Sequence, residues 1–382
     1  MLSSLSLLLL STLSLSQFVV ANSACVAFDV HWNLLAFGFN GKDYDASTQD
    51  TWGSGQSSDI TTSGRPPFDG PNTKCYLSQF TNSIYILGAD SANPAAIHIY
   101  DASAKSWSTQ AVNKGDIFDP ASFDAILDHD TNVFYAYSKG ELFSLDMEQL
   151  KAASPTTKAW NDVQKANLGD NYDPVMALAQ NHVHFLNVPG LPDGSAKIFV
   201  IHFSYMQPEP QSYGKFPNTH GQATSFFQES GVQQEFAFIP DDGSATYVIN
   251  VETNTTQTLK GPSTKDPLAT YFASKTALVQ LSSSGSVSYL AYDQNALSTN
   301  TNAAWIAVNK LPSAGSSHSA TPNSTASAGQ GAASTGASNT STGKPASSTS
   351  SSSGAITSIT VVGWGVWNLF ALVLILPLVS LF

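Results

Sequence analysis

The sequence predicts an all-β fold, a β-propeller of four-stranded blades, and three observations support that prediction. Apolar strands recur as hairpins from residue 82 onward, helical periodicity is limited to the short stretch 147–153, and a glycine heads one strand of four successive hairpins. These glycines, Gly140, Gly194, Gly243 and Gly285, are 54, 49 and 42 residues apart. Periods of that size built from strands alone are typical of propeller blades. We expect six blades, with seven as the alternative. A β-sandwich is less favoured, because it would need fewer and unequal repeats.

The turns mark the hairpins most clearly. Residues 192–203 (PDGSAKIFVIHF) and 240–253 (PDDGSATYVINVET) both pass from a Pro-Asp-Gly turn into an apolar strand. Glycine is favoured at such turns because it tolerates positive φ. These stretches are therefore predicted to be the turn and third strand of two successive blades. The strands before the turns are expected at 82–88, 132–140, 181–188, 234–240 and 276–282.

A shorter strand precedes each hairpin, and we expect it to be the innermost strand of its blade. These first strands are predicted at 121–128, 174–180, 222–228 and 267–274. Residues 25–70 supply at least part of a further unit. We expect the ring to close by pairing an N-terminal strand with the C-terminal ones, because closure removes exposed sheet edges.

Both ends of the chain resemble targeting signals. Residues 1–21 are rich in leucine, carry no charge and end in Val-Val-Ala, a pattern typical of a secretory signal peptide. Residues 356–382 also lack charge and follow small residues around Ser353. That pattern is typical of a GPI-attachment signal that is removed, with Ser353 as the attachment residue. A single-pass membrane helix is the alternative for this segment.

Between the body and the C-terminal signal lies a segment of low complexity. In residues 312–355, 21 of 44 residues are Ser or Thr, and there is no acidic or aromatic residue. Such a segment buries too little apolar surface to fold, so we expect a disordered, glycosylated stalk. Asn323 and Asn339 lie in N-glycosylation sequons of the stalk, and Asn254 lies in a third sequon. The remaining residues, 22–311, are predicted to be the propeller domain.

The net charge bears on the possible partners, and the cysteine content bears on crosslinking. The net charge of −12 argues against nucleic acid as a partner. Cys25 and Cys75 are the only cysteines. In the oxidising compartment that a signal peptide implies, we expect them to form one disulfide that ties the N-terminal strand to its neighbour. The protein is expected to be a monomer.

One stretch resembles the kelch repeat of galactose-oxidase-type propellers. Residues 84–107 (IYILGADSANPAAIHIYDASAKSW) contain Leu87-Gly88, Tyr100-Asp101 and Trp107 at the kelch positions, although Ala89 replaces the second glycine. The resemblance implies a propeller fold and says little about activity. The oxidases of this type use copper held by two Tyr and two His, with one Tyr crosslinked to Cys. Because both cysteines are expected in the disulfide, that copper site is not matched, and we expect no cofactor.

A repeated acidic position suggests a binding site. Asp119, Asp173 and Asp266 each stand directly before a proline at the start of a first strand, and His220 stands at the same place in another repeat. If the first strands line the channel, these four side chains gather around one mouth of it and could hold a cation or a sugar. The alternative is that Asp-Pro only turns the chain into the strand.

Other motifs are weaker. His182 and His184 share a strand face and could supply two metal ligands, but no third is identifiable, so packing against the next blade is expected and no metal is predicted. Residues 128–132 resemble a calcium loop but lack its later glycine and glutamate, so a β-turn is expected. The tryptophans could stack on sugars or pack between blades.

No complete catalytic motif is present in the sequence. We therefore expect a secreted, GPI-anchored surface protein of fungal type, whose propeller binds a glycan or a cell-surface protein. The alternatives are an extracellular carbohydrate-active enzyme that uses the channel-mouth aspartates, and a structural wall protein with no specific ligand. Whether the protein is an enzyme stays open at this point.

Overall fold

The computed structural model describes residues 23–169 and 171–315. Within them the chain forms six small antiparallel sheets in succession, which are named blades 1 to 6. Blade 1 contains β1 Cys25–Phe28, β2 Leu34–Phe39, β3 Lys42–Asp45 and β4 Ser58–Asp59. Blade 2 contains β5 Lys74–Ser78, β6 Ser83–Leu87, β7 Ile97–Asp101 and β8 Ser106–Gln110.

Blades 3 and 4 depart slightly from the regular pattern. The short strand β9 Val112–Asn113 precedes blade 3, which contains β10 Asp124–Asp128, β11 Val133–Ser138, β12 Glu141–Asp146 and the outer β14 Asn161–Lys165. Strand β13 Lys158–Ala159 pairs in parallel with β9. Blade 4 contains β15 Val175–Ala179, β16 His182–Leu186 and β17 Ser195–Val200, with an outer edge split into β18 Tyr205–Met206 and β19 Gln211–Ser212.

Blades 5 and 6 complete the ring. Blade 5 contains β20 Gly221–Ser225, β21 Glu235–Pro240, β22 Ala245–Asn250 and β23 Thr255–Lys260. Blade 6 contains β24 Thr270–Ala273, β25 Ala277–Leu281, β26 Val287–Ala291 and β27 Trp305–Ala307, with the helix α1 Leu297–Asn302 before its last strand. Two 3-10 turns lie at Gln49–Thr51 and Ile201–Phe203.

The first strand of each blade lies innermost. Strands β1, β5, β10, β15, β20 and β24 contact one another in that order, and β24 returns to β1, so the ring is closed around a central channel. The predicted six-bladed propeller of four-stranded blades is confirmed.

The predicted mode of closure is wrong, because blades 1 and 6 are each built from consecutive strands and exchange none. The C-terminal segment of the described chain instead packs on loops of blade 1. The Lys310 ammonium donates to the Ser47 and Thr51 hydroxyls at 3.2 and 3.0 Å. The Asn40 amide donates to the Ser313 carbonyl at 2.7 Å.

Aromatic side chains fill the space between neighbouring blades. Trp107 of blade 2 packs on Phe37 of blade 1, with ring centroids 5.4 Å apart. Trp305 of blade 6 donates its indole N–H to the Lys260 carbonyl of blade 5 at 3.0 Å. Trp52 is fully buried in the core. These tryptophans therefore pack between blades instead of facing a ligand.

Asparagines in the left-handed conformation link blades along one side of the ring. They end the turn between the first and second strands: Asn82, Asn132 and Asn181, with φ of 53°, 59° and 57°. The Asn82 carboxamide oxygen accepts from the backbone N–H of Val30 in blade 1 at 3.0 Å. The Asn132 amide donates to the Tyr85 hydroxyl of blade 2 at 2.9 Å. Each turn is thus fastened to the preceding blade.

The predicted disulfide between Cys25 and Cys75 is confirmed, and it joins the inner strands of blades 1 and 2. Removing it with the double change Cys25→Ala and Cys75→Ala lifts a constraint on the unfolded chain across 50 residues. We expect a loss of about 4 kcal/mol in the free energy of unfolding. Denaturant unfolding of the full chain, followed by tryptophan fluorescence, measures this. Reductant should lower the wild-type midpoint and leave the double variant unchanged, and equal midpoints without reductant would contradict the expectation.

The asparagine turns make a second prediction. Replacing Asn132 by Ala removes buried hydrogen bonds and leaves at positive φ a residue that tolerates this conformation less well than asparagine. We therefore expect a loss of about 2 to 3 kcal/mol in the free energy of unfolding. The matched change Asn132→Gly keeps the backbone freedom and should lose less, because only the hydrogen bonds disappear. Equal losses in both variants, measured by the same unfolding assay, would show that the backbone contributes nothing here.

Candidate functional site

The loops of each blade divide between two faces of the ring. In an antiparallel blade, the connection into the first strand and the loop between the second and third strands lie at the same end; this end is called the upper face. The first–second and third–fourth connections lie on the lower face. Asp119, Asp173, His220 and Asp266 precede β10, β15, β20 and β24, so all four lie on the upper face.

Two of these four residues are in contact, across the junction of blades 4 and 5. The His220 Nε2 atom lies 3.3 Å from an Asp173 carboxylate oxygen. The His220 Nδ1 atom lies 2.8 Å from a carboxylate oxygen of Asp241. The imidazole is thus held in one orientation between two carboxylates. Asp173, His220 and Asp241 are named the upper cluster.

Asp241 was missed by the sequence analysis, although it lies in the PDDGSATY turn. The signal that could have found it is topological. The turn between the second and third strands shares the upper face with the residues before the first strand. A carboxylate in that turn of blade 5 therefore reaches His220 in the same blade.

The other two residues have partners within their own blades. Asp119 pairs with the Lys139 ammonium at 2.9 Å and accepts from the Ala121 N–H at 3.0 Å. These two groups hold the pKa of Asp119 below its ordinary value. Asp266 accepts from the backbone N–H groups of Leu268 at 3.0 Å and Ser283 at 2.6 Å. Both carboxylates therefore fasten turns at the start of an inner strand.

A cavity of about 140 Å³ occupies the central channel and is lined by residues of all six blades. A charged pair lies on its wall, where the Lys74 ammonium is 2.6 Å from an oxygen of Asp124. The second oxygen of Asp124 accepts from the backbone N–H of Met176 in blade 4 at 2.9 Å. Lys74 is therefore matched by a carboxylate that has partners on both oxygens.

The rest of the channel wall is amphipathic. Apolar side chains from the inner strands of blades 1, 3 and 4 line one part: Val26, Ile126, Met176 and Leu178. Polar side chains that are partly exposed line the part formed by blades 5 and 6: Gln222, Thr224 and Thr270. Gln233 also lines the cavity, is only 3% exposed, and has a carboxamide oxygen without a hydrogen-bond partner.

A wider cleft of about 830 Å³ lies on the upper face between blades 3 and 4. Its lining includes Tyr137, Lys139 and Lys165 of blade 3, and Tyr172 and Asp173 at the start of blade 4. Asp173 belongs to both the cleft and the upper cluster, so the two adjoin each other. The upper face thus offers an extended polar surface in addition to the channel.

The two strand histidines lie away from this surface. His184 is buried, and its Nε2 atom lies 3.0 Å from the Tyr213 hydroxyl, with the ring packed on Phe236 of blade 5. Burial, together with the smaller effect of neighbouring His182, lowers the pKa of His184 to about 3. Within the described part of the chain, no group of three or more His, Cys, Asp or Glu residues is arranged to hold a metal ion.

Some of the remaining predicted residues lie in turns, and others lie outside the described part of the chain. The segment 128–132 forms a turn in which Asp128 accepts from the Thr131 hydroxyl at 2.5 Å. Asn254 is exposed in the turn between β22 and β23, on the lower face. Asn323, Asn339 and Ser353 lie outside the described residues, as do the N-terminal and C-terminal signals and most of the stalk. Among the described residues, no helix has the length and apolarity needed to cross a membrane.

Comparisons with known proteins do not assign this chain to a family. No protein-family profile matches the chain. No curated protein matches it either. Among solved structures, the chain is similar to YjhT, with a TM-score of 0.48 and 9% identity over 72% of this chain and 95% of that one. It is also similar to a chain of a nidogen/laminin complex, with a TM-score of 0.39 and 11% identity over 62% and 78%.

A third similar structure is PorZ, a bacterial surface component of the type-IX secretion system of Porphyromonas gingivalis. Its TM-score is 0.38 and its identity 14%, over 70% of this chain and 31% of that one. Likenesses at this level carry no information on activity, so the functional argument rests on the residues themselves.

The burial of His184 leads to a prediction about how stability depends on pH. The unfolded chain protonates His184 as the pH falls through its ordinary value of 6.5, whereas the folded protein does so only near 3. Stability is therefore lost below pH 6.5, by about 2 kcal/mol between pH 7 and pH 5. The variant His184→Gln should lack this component, so its unfolding free energy should fall by about that much less over the same interval. Parallel pH profiles of the two proteins would contradict the assignment.

Proposed function

We propose that the protein is a GPI-anchored cell-surface binding module whose propeller recognises a glycan through its upper face. The observation that carries the proposal is the arrangement of the upper cluster beside the cleft between blades 3 and 4. Carboxylates and an imidazole that are partly exposed can accept and donate hydrogen bonds to sugar hydroxyl groups. Asp173 has a side chain 75% exposed, so it is accessible to such a ligand.

The proposed location follows from the chain ends. A secretory signal at 1–21, a Ser/Thr-rich stalk at 312–355 and a GPI-attachment signal at 356–382 together favour a protein held outside the cell on a lipid anchor. The sequons at Asn254, Asn323 and Asn339 are expected to carry glycans in that setting. Exposure of Asn254 is compatible with modification. A single-pass membrane helix stays the alternative anchor.

We further propose that the fold is of the kelch and galactose-oxidase type, without the copper site. The stretch 84–107 supports this assignment through its packing. Gly88 has a φ of 68°, as the end of a kelch strand requires. Trp107 packs on Tyr100 with ring centroids 5.0 Å apart, which matches the packing role of Trp in that repeat.

Binding is favoured over catalysis because of how the carboxylates are engaged. A glycosidase needs two carboxyl groups placed across the scissile bond, one of them free to give a proton. Asp119 and Asp266 are used by turns of their own blades. Asp173 and Asp241 flank a single imidazole. This arrangement supports hydrogen bonding to a ligand better than acid–base chemistry on one.

A glycan array probed with the full chain, purified in mild detergent, tests the proposal. We expect retention of a defined group of glycans by the wild type and at least a tenfold weaker signal for Asp173→Asn, which removes the exposed charge of the upper cluster. The matched control is Asp116→Asn, an exposed aspartate before blade 3, which should bind like the wild type.

Two results would overturn the proposal. One is a wild-type chain that retains no glycan, and the other is equal retention by Asp173→Asn and the wild type. Capture of a cell-surface protein that persists after enzymatic removal of its glycans would instead indicate a protein partner.

A further inference from the structure

We propose that the central channel holds one neutral pyranose residue, the terminal residue of the glycan that the upper face binds. This inference rests on the proposed function and deepens it, because it names the subsite and the class of sugar. It is argued from the size of the channel, the two kinds of wall, one unpartnered amide oxygen and the balance of charge.

The channel has the volume for such a residue. Its cavity measures about 140 Å³. A single water needs roughly 10 to 15 Å³ by this measure, so the cavity has room for on the order of ten waters. A single pyranose ring with its hydroxyl groups contains about as many non-hydrogen atoms as these waters do. A longer oligosaccharide could place only its end there and would extend over the upper face.

The channel wall is chemically complementary to a pyranose. A pyranose presents C–H groups on its ring faces and hydroxyl groups around its edge, so it is apolar on one side and polar at its rim. The channel has the same division, with Val26, Met176 and Leu178 on one part and Gln222 and Thr224 on another. A purely apolar ligand would leave the second group of side chains without partners.

Gln233 provides the most specific feature. Its side chain is almost completely buried and lines the cavity, yet its carboxamide oxygen accepts no hydrogen bond. A buried acceptor without a partner costs about 1 to 3 kcal/mol, which a donor from a ligand or a water can recover. A sugar hydroxyl is such a donor. In this conformation the oxygen itself has almost no accessible surface, so a rotation of the carboxamide on the cavity wall would bring it to such a hydroxyl group.

The charges of the channel favour a neutral ligand. Lys74 and Asp124 are paired at 2.6 Å, and Asp124 also accepts a backbone N–H, so neither charge is left to be neutralised by a ligand. A uronic acid or an amino sugar would bring an unmatched charge into a largely buried space, which is unfavourable. A neutral hexose avoids that cost.

The lower end of the cavity is aromatic. Phe227 and Phe272 line the cavity and stack with ring centroids 6.3 Å apart, and Trp32 packs on Phe227 from the lower face at 5.6 Å. These rings give a terminal sugar a hydrophobic surface. We place the entry of the glycan end at the upper face because the upper cluster lies there.

Monosaccharide binding to the full chain in detergent tests the inference. The probes are the methyl glycosides of glucose, mannose and galactose, with glucuronic acid and glucosamine as charged counterparts, and calorimetry or saturation-transfer NMR is the readout. We expect at least one neutral glycoside to bind and the charged sugars to bind at least tenfold more weakly. Charged sugars that bind as tightly as the neutral ones would overturn the inference.

Two near-isosteric variants locate the site. Gln233→Leu removes the unpartnered amide and Thr224→Val removes a channel hydroxyl, and each should weaken binding of the neutral glycoside at least tenfold. The matched control Gln56→Leu changes an exposed glutamine outside the channel and should have no effect. Circular dichroism and thermal unfolding check the fold. Gln233→Leu should unfold at the wild-type temperature or above it, since the side chain that it replaces has an unpartnered oxygen.

The outcomes separate this inference from the proposed function. If both channel variants keep wild-type binding to the array glycans while Asp173→Asn loses it, the channel inference is wrong and the proposed function stands. If a neutral glycoside binds, the channel variants lose it and Asp173→Asn keeps it, the channel site stands without the upper cluster. If neither glycosides nor array glycans bind, both proposals are wrong.

Discussion

The structure depends on what happens at the free edges of the inner strands. Each inner strand pairs with one neighbour in its own blade, so its other edge faces the channel with unpaired N–H and C=O groups. Side chains from adjacent blades cover that edge on β15. Asp124 of blade 3 accepts from the N–H of Met176, and the Ser225 hydroxyl of blade 5 bonds both the N–H and the carbonyl of Leu178. These bonds fix three blades relative to one another and also make the channel wall polar.

The same constraint explains why the candidate site is shared between blades. Within a blade, the backbone hydrogen bonds of the sheet fix the positions of the residues closely. A ligand at the ring axis, by contrast, contacts one or two residues from each blade. The upper cluster joins Asp173 at the start of blade 4 to His220 and Asp241 of blade 5. Its geometry therefore depends on how blades 4 and 5 pack, which is the junction that Ser225 and the buried ring of His184 also stabilise.

The parts of the fold that could be predicted from sequence are those with local signals. The hairpins were predictable because their turns require positive φ, which Gly140, Gly194 and Gly243 adopt at 88°, 76° and 57°. Outer strands gave little signal, since they are short and half exposed, as the split edge of blade 4 illustrates. The mode of ring closure was not predictable, because it depends on side chains such as Lys310 that contact residues some 260 positions away.

For the candidate site, the acidic positions before the first strands could be recognised in the sequence. Whether each carboxylate bonds a neighbouring N–H or reaches another blade depends on tertiary packing.

The C-terminal segment of the described chain has one further consequence for orientation. Its last residues lie on the upper face, where the Ala314 N–H bonds the Gly285 carbonyl in the turn between β25 and β26, and Asn40 bonds Ser313. The chain therefore leaves the propeller on the same face as the upper cluster, while Asn254 lies on the other. The end of the described chain and the proposed ligand-binding surface thus share one face of the ring, and the turn that contains the Asn254 sequon lies on the opposite face. A glycan attached to Asn254, as proposed, would therefore leave the upper cluster uncovered.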